Sequence, residues 1–285
     1  MSPDVLAVIV RAFSFALLFQ AVGAAFFTAL FNAQLNVTGV GIRRLAGRAA
    51  MIGMVLIVVH LALEPTRMTG EYTDFMDPSM RSMAWTSSSA VSQAMQVVGL
   101  MLVTIAMITS KQRVTLGVIG ALCALTAFLF TGHTSTHPWR IVLAPLLAIH
   151  LFIVAFWFGS LLPLWIVSKY EPLERADSIF RKFSSIATGL VPVIAIVGLA
   201  MTASIAHGVP PLREPYGELI LAKLVGFSTL MLFAAWNKWR LVPAIAGNAP
   251  ASLGVLRRSM IVEFALLIGV LSVTAVMTTF FSPNE

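Results

Sequence analysis

The chain has 285 residues, of which 58% are hydrophobic and 11% are charged. A water-soluble domain keeps about 25% charged residues, so this composition excludes a soluble globular protein and indicates an integral membrane protein. The net charge of +7 does not indicate nucleic-acid binding, because the basic residues are spread over short segments between apolar runs. The single cysteine, Cys123, lies in an apolar run, which excludes a disulfide framework and a CxxC motif.

Eight apolar runs follow one another along the chain, each long enough to cross a bilayer as a helix, which takes about 20 residues. In lipid every backbone polar group must be bonded within the protein. The pattern therefore predicts an all-α, polytopic transmembrane helical bundle of about eight helices, with residues 1–285 as a single integral membrane domain. We expect the first run to be retained as a span, because no basic segment precedes it. The runs lie at residues 4–31, 47–64, 90–109, 114–131, 141–168, 186–206, 217–237 and 259–281.

Lysine and arginine are distributed unequally over the two sets of alternating loops. Cytoplasmic loops of membrane proteins carry the excess of these residues. The richer set is therefore expected to face the cytoplasm, which puts both termini on the outer, periplasmic side. The richer set holds Arg43, Arg44, Arg48, Lys111, Arg113, Lys169, Arg175, Arg181, Lys182, Lys238, Arg240, Arg257 and Arg258, and the other set holds Arg67, Arg81, Arg140 and Arg213.

All five histidines fall in the half of the predicted bundle that faces outward. His60 lies about one turn from the outer end of the second run. His133 and His137 lie in the outer loop after the fourth run, and His207 ends the sixth. His150 is the deepest, at about 13 Å below the outer surface, where an ionisable side chain is costly and indicates a function.

Four methionines lie in the polar segment that follows the second run, where methionine is unusual because it normally fills gaps in cores. The same segment is acidic and would concentrate cations. Imidazole binds copper, zinc, iron and nickel, and thioether sulfur favours Cu(I). The combination predicts a metal-binding region that suits copper better than zinc, with the candidate ligands His60, His133, His137, His150, His207, Met68, Met76, Met80 and Met83.

Most of these residues also have a structural interpretation. His133 and His137 fit interfacial hydrogen-bonding residues, and His207 fits a helix cap. The four methionines fit a short helix that packs against the bundle. Within the spans, Glu263 is expected to meet the inner basic cluster or Asn237, in a structural role rather than as a proton relay.

Three segments of the C-terminal half read HLFIVAFWFGSLLPLW at 150–165, YGELILAKLVGFSTLMLFAAWNKWRLVP at 216–243 and LRRSMIVEFALLIGVLSVTAVMT at 256–278, and GHTSTHP precedes them. They resemble the CopD (copper resistance protein D) family of bacterial inner-membrane proteins. Residues 1–130 are similar in hydropathy and in the placement of histidine and methionine. The positions that match the family's pattern are His150, Trp157, Gly159, Pro163, Lys223, Asn237, Pro243 and Glu263.

This resemblance implies a multi-pass protein of the bacterial inner membrane that handles copper, usually by uptake toward the cytoplasm. It also implies a separate periplasmic CopC-like copper donor, because the sequence shows no such domain. We therefore expect copper to enter from the periplasmic side through the outer histidines and methionines. The sequence has no nucleophile–base arrangement, phosphate loop or nucleotide motif, so no enzyme activity is expected.

Two other functions fit the same residues. The first is electron transfer by a haem b protein, in which His60 and His150 would be the axial ligands of one outer haem. The second is an assembly factor that delivers copper to a cuproenzyme without moving it across the membrane. A Soret absorption band in purified protein without copper would favour the haem protein over copper transport. Uptake of radioactive copper into cells or liposomes distinguishes transport from delivery.

Overall fold

The computed structural model describes residues 2–109, 113–132, 135, 137–205, 215–246 and 250–280. These residues are almost entirely helical, and among them eight helical segments are long and apolar enough to cross a membrane. The predicted all-α bundle of eight spans is thereby confirmed. The α-helices are α1 (Pro3–Phe31), α2 (Gly39–Ala62), α3 (Glu64–Thr69), α4 (Pro78–Thr86), α5 (Ser88–Ile108), α6 (Arg113–Thr126), α7 (Arg140–Tyr170), α8 (Leu173–Ile205), α9 (Pro215–Trp236), α10 (Val242–Ala246) and α11 (Pro250–Phe280).

Three helices begin well before the apolar runs that predicted them. α2 begins at residue 39 instead of 47, α8 at 173 instead of 186, and α11 at 250 instead of 259. The added turns carry charged residues such as Arg43, Asp177 and Arg257. A hydropathy pattern stops where charges begin, whereas a helix continues beyond the apolar layer because its backbone stays hydrogen-bonded in either solvent.

Helix α1 joins two groups of helices. It packs against α2, α5 and α6, and it also packs against α7 and α11. We call α1, α2, α5 and α6 the N-terminal half, and α7, α8, α9 and α11 the C-terminal half. The core continues through both halves and includes the fully buried side chains of Phe27, Phe31 and Phe158.

Glycine allows the closest approach between the two halves. A Cβ atom built on Gly23 of α1 would lie 1.9 Å from the carbonyl oxygen of Ala155 on α7, and one on Gly159 would lie 2.5 Å from the Cα of Gly23. No side chain fits at such distances. Gln20 adds a polar contact at the same interface, since its side-chain amide donates to the carbonyl oxygen of Gly159 at 3.0 Å. Small residues at helix crossings are typical of membrane bundles.

The segment between α2 and α5 is folded and covers one end of the bundle. It consists of α3, a 3-10 turn at Tyr72–Met76, and α4, which contact one another and also α1, α2 and α5. We call it the cap, and we call this end of the bundle the cap end. The sequence predicted a polar loop here. Short helices form instead because Pro65 and Pro78 begin them, and because the Asp77 carboxylate accepts from the backbone amides of Ser79 and Met80.

The opposite end of the bundle carries the α1–α2 turn, the α7–α8 turn and the charged turns at the start of α2, α8 and α11. We call it the basic end. Lys182 donates to the carbonyl oxygen of Leu30 at 2.9 Å, and Arg257 bonds the hydroxyl of Ser168 at 3.0 Å. These contacts join segments that the predicted topology places on one membrane side. The helix ends that lie together in the structure are therefore the ones that the predicted topology puts on the same side of the membrane.

Candidate functional site

His60 lies in the last turn of α2, where the residue is 6% exposed. Its Nδ1 atom lies 3.5 Å from the side-chain amide nitrogen of Gln93 on α5. Its Nε2 atom is buried and has no hydrogen-bond partner among the described residues. Leaving such an atom unpaired costs about 1–3 kcal/mol. The Nε2 atom is therefore a candidate ligand position.

A small polar cavity lies beside His60. Its volume of about 50 Å³ is enough for a single ion or for about one or two water molecules. Helices α1, α2 and α5 supply most of its wall, and the side-chain oxygen of Gln93 is a second buried atom there without a partner in the described chain. The polar residues that line it with His60 are Arg11, Ser14, Ser89, Ser92, Gln93, Gln96 and Thr131.

The charge of this cavity comes from Arg11. Its guanidinium donates to the carbonyl oxygen of Thr278 at 3.3 Å, and it forms no salt bridge with any residue that the structure describes. Helical spacing places Glu64 one turn after His60, but the structure pairs Glu64 with Arg67. The cavity is therefore electropositive, and Coulomb repulsion penalises a divalent ion in it about twice as much as a monovalent one.

The four candidate methionines all lie in the cap. Met68, Met76 and Met83 are exposed, and Met80 is half-buried. The acidic residues of the cap are close in sequence, and hydrogen bonds from the Ser79 hydroxyl and the Met80 amide hold the pKa of Asp77 below its ordinary value. The cap thus presents thioether sulfur and negative charge to solvent, at the end of the bundle where His60 lies.

His150 lies in α7 and belongs to the C-terminal half. Its Nδ1 atom is buried without a partner in the part of the chain that the structure describes. The ring lies against Gly198 of α8, where an added Cβ would be 3.8 Å from Cε1. Lys223 of α9 is close enough to act on the ring electrostatically. His150 is therefore surrounded by helices that do not line the cavity beside His60.

The remaining candidate histidines are His133, His137 and His207. His133 and His207 are outside the described residues. His137 lies in the turn that precedes α7, where its Nδ1 accepts a hydrogen bond from the backbone amide of Trp139 at 3.1 Å. That nitrogen of His137 is thus engaged in the local turn.

The described residues contain no group of three or more His, Cys, Asp or Glu side chains that could hold a metal ion. His60 and His150 face different helices, and no described cavity contains both of them. The cavity beside His60, at about 50 Å³, is much smaller than the roughly 300–1,000 Å³ of pockets for ligands of moderate size. The geometry therefore gives no support to a haem held between these two histidines.

A second polar cluster lies in the C-terminal half, nearer the basic end. Glu263 of α11 is 3% exposed and accepts hydrogen bonds from the side-chain amide of Asn237 and the hydroxyl of Ser259. The indole of Trp157 bonds the same carboxylate. The contact with Asn237 confirms one of the two partners that the sequence indicated. The contact with Trp157 could not be predicted, because Trp157 lies far from Glu263 in sequence, on α7.

These residues border a cavity of about 400 Å³ between α7, α8, α9 and α11. Its wall is mainly apolar and aromatic. The polar side chains that reach it are Ser184, Thr188, Asn237, Lys238 and Glu263. This cavity could not be predicted from the sequence, because its lining comes from several segments that are distant along the chain and has no common spacing.

Comparison with protein families gives two matches. Residues 177–277 match the family model described as copper resistance protein D, and residues 1–138 match the model described as the copper resistance protein D-like N-terminal domain. The second match extends the likeness into the half where the sequence resembled the family only in hydropathy and residue placement. Comparisons with curated proteins and with solved structures give no match. The chain thus belongs to the copper resistance protein D family and is a multi-pass membrane protein of that family.

Proposed function

We propose that this protein takes up copper on the periplasmic side of a bacterial inner membrane and passes it toward the cytoplasm. Membership of the copper resistance protein D family supports copper as the cargo of the proposed transport. The observation that carries an entry site is the buried Nε2 atom of His60, which has no hydrogen-bond partner among the described residues, at the cavity of about 50 Å³. A neutral imidazole nitrogen with a free lone pair is a good copper ligand, and Nε2 has one when the Gln93 side-chain amide is turned so that its oxygen accepts from Nδ1–H. A bound ion would then give Nε2 the partner that it lacks among the described residues.

The cargo is proposed to be Cu(I). Exposed thioethers of Met68, Met76 and Met83 favour a soft, monovalent ion over zinc or Cu(II). The guanidinium of Arg11, which forms no salt bridge with any described residue, acts in the same direction, because the cavity repels a single positive charge less than a double one. The methionines of the cap would collect copper from solution or from a CopC-like periplasmic donor, and His60 would receive it.

His150 is proposed as a separate position in the C-terminal half. It is packed against α8 and α9, while His60 is packed against α5. A single site containing both is therefore not proposed. Each histidine would hold copper with a different set of neighbours, and movement between the two would take copper from the N-terminal to the C-terminal half.

Replacement of His60 tests the entry site. We expect His60→Gln and His60→Ala to weaken Cu(I) binding at least about tenfold, since even residues that only surround a metal ligand change its affinity by that factor. The measurement is a competition between the purified, detergent-solubilised protein and a chromogenic Cu(I) chelator. His137→Gln is the matched control, because the backbone amide of Trp139 already occupies its Nδ1.

Replacement of Met68, Met76, Met80 and Met83 by isoleucine provides a second arm of the same test. This variant should keep the tight site while taking up copper more slowly at low copper concentration. Unchanged Cu(I) affinity in both His60 variants, on protein that is folded, would refute the entry site. Loss of all copper binding in the isoleucine variant would instead make the cap the main site.

Uptake of radioactive copper into proteoliposomes separates transport from delivery. A transporter accumulates copper inside the vesicles, and the His60 variants should lose this accumulation. If the protein binds Cu(I) tightly but moves none across the bilayer, the assembly-factor function replaces the transport proposal.

A further inference from the structure

Glu263 is a carboxylate without a cationic partner in the membrane-spanning part of the chain. It is 3% exposed and forms no salt bridge with any described residue. Lys238 is the one charged group, besides Glu263, among the described residues that line its cavity. A lone negative charge within a bilayer is costly, and such residues in transport proteins commonly carry protons or cations. The hydrogen bonds to Glu263 therefore need an explanation beyond packing.

Asn237 is suited to both protonation states of this carboxyl group. Its side-chain nitrogen donates to Glu263 Oε1, while its side-chain oxygen is buried and has no partner in the described chain. An amide carries donors on one atom and an acceptor on the other. As placed, Asn237 donates to an ionised carboxylate. After rotation of the amide, the same residue accepts a hydrogen bond from a protonated carboxyl group.

The backbone around Asn237 is irregular in a way that suits such a change. A single π-helical turn, Asn237–Leu241, interrupts the α-helical hydrogen bonding between α9 and α10. Turns of this kind are rare and occur frequently at functional sites. The irregular turn thus begins at the residue that donates a hydrogen bond to the buried carboxylate.

The cavity beside Glu263 is bordered by Lys238, a residue of the basic end. Its volume of about 400 Å³ is many times the roughly 30 Å³ that one water molecule occupies in the liquid. Lys238 lies on its wall at the basic end, and Ser184 and Thr188 supply further hydroxyl groups. Water in this space would connect Glu263 with the basic end of the bundle.

An apolar layer separates Glu263 from the polar residues nearer the cap end. His150 precedes Trp157 by seven residues on α7, which puts the two on one helix face about 10 Å apart. Lys223 and Asn237 are likewise on one face of the α9 segment, with Leu230 midway between them and only 2% exposed. The C-terminal half thus has two polar levels, one with His150 and Lys223 and one with Glu263 and Asn237, and the second level borders the cavity whose wall includes Lys238.

We propose that Glu263 is a proton-binding site whose carboxylate takes a proton from water at the basic end, becomes a neutral carboxyl group bonded to Asn237, and returns the proton to the same side. No electrons move in this step. We further propose that the cycle is coupled to copper movement, and this part rests on the transport function proposed above.

Infrared difference spectroscopy tests proton binding without any reference to copper. Purified protein is titrated with acid, and the carbonyl band of a protonated carboxyl group is followed. The band of a carboxyl group in an apolar setting should appear in the unaltered protein, be absent in Glu263→Gln, and shift its pH midpoint in Asn237→Leu. Glu218→Gln is the control, because Glu218 is exposed at the start of α9. This variant should keep the band. A spectrum that is the same for Glu263→Gln and for the unaltered protein would overturn the proposal.

Proteoliposomes prepared at several pH values test the coupling. Because the proton returns to the side from which it came, coupling is expected to appear as a pH dependence of copper movement and not as net proton transfer. Copper movement is recorded for the unaltered protein, Glu263→Gln and Glu218→Gln. Coupling predicts a pH dependence that Glu263→Gln abolishes and Glu218→Gln retains. Copper movement at the same rate at every pH in the unaltered protein would overturn the coupling. If no copper moves but the infrared band is lost in Glu263→Gln, the transport proposal fails while the proton site stands.

Discussion

At the scale of single residues, Glu171 shows how one carboxylate organises a turn that has no charge of its own. Its Oε1 atom accepts hydrogen bonds from the backbone amides of Asn36, Val37 and Thr38, each at 2.9 Å, and from the Thr38 hydroxyl at 2.7 Å. These donors lie immediately before α2, so Glu171 satisfies amides at a helix start from the distant α7–α8 turn. Burial alone raises the pKa of Glu171, but these hydrogen bonds outweigh burial and hold it below its ordinary value.

The depressed pKa fixes the sign of the pH dependence. A carboxyl group with a lower pKa in the folded state adds stability at pH values above its unfolded pKa, and this stability is lost as the pH falls through the folded pKa. We expect Glu171→Gln to lower the free energy of unfolding by about 1–2 kcal/mol at neutral pH, because bonds to a charged acceptor become bonds to a neutral one. The deficit should shrink in acid.

Thermal unfolding in detergent at neutral and acidic pH provides the measurement for Glu171. Glu174→Gln is the control, because Glu174 is exposed in the first turn of α8. An equal deficit at both pH values would contradict a role for the ionised carboxylate. A deficit of the same size in Glu174→Gln would show that lost surface charge is the cause.

Helical spacing shows which residues lie on one face of a helix, but it does not show which of them interact. Spacing put His60 and Glu64 on one helix face, yet Glu64 pairs with Arg67, which is the stronger electrostatic partner. The partners of Glu171 could not be predicted at all. They are backbone amides, which any sequence supplies, and they lie far from Glu171 along the chain.

At the scale of helices, the crossing of α1 and α7 fixes how the two halves of the bundle meet. Gly23 and Gly159 touch through their backbones, and Gln20 bonds the carbonyl oxygen of Gly159 in the same interface. The sequence shows glycines in both helices but not which glycines meet, because many other positions carry small residues. Hydropathy predicts that a segment is a helix in lipid, whereas the crossing point depends on the shapes of two surfaces.

Alanine at Gly23 is expected to force the two halves apart. The added Cβ would lie 1.9 Å from a backbone oxygen, which cannot move without moving α7. Overpacking of this kind costs about 1–3 kcal/mol, so Gly23→Ala should lower the unfolding temperature and broaden the elution profile of the purified protein. Gly269→Ala on α11 is the control, because nothing lies within 4 Å of its added Cβ. Equal stability of the two variants would disprove the close crossing.

At the scale of the whole molecule, the two halves carry their cavities at opposite ends of the bundle. The N-terminal half has the cavity with His60 beneath the cap, and the C-terminal half has the cavity with Glu263 near the basic end. The family and the number of spans could be predicted because composition and local motifs determine them. The positions of the two cavities could not be predicted, because each cavity is lined by helices that are distant in sequence.

The proposed direction of copper entry depends on which end of the bundle faces outward, and two exposed residues test it. Met76 in the cap is 68% exposed, and Val37 in the basic-end turn is 62% exposed. With the native Cys123 replaced by alanine, Met76→Cys and Val37→Cys each place one thiol at a known end. The excess of lysine and arginine at the basic end predicts that this end is cytoplasmic. A membrane-impermeant thiol reagent should therefore label Met76→Cys in intact spheroplasts and Val37→Cys only after lysis. The reverse labelling would put the cap in the cytoplasm, and the methionines and His60 would then serve copper exit instead of entry.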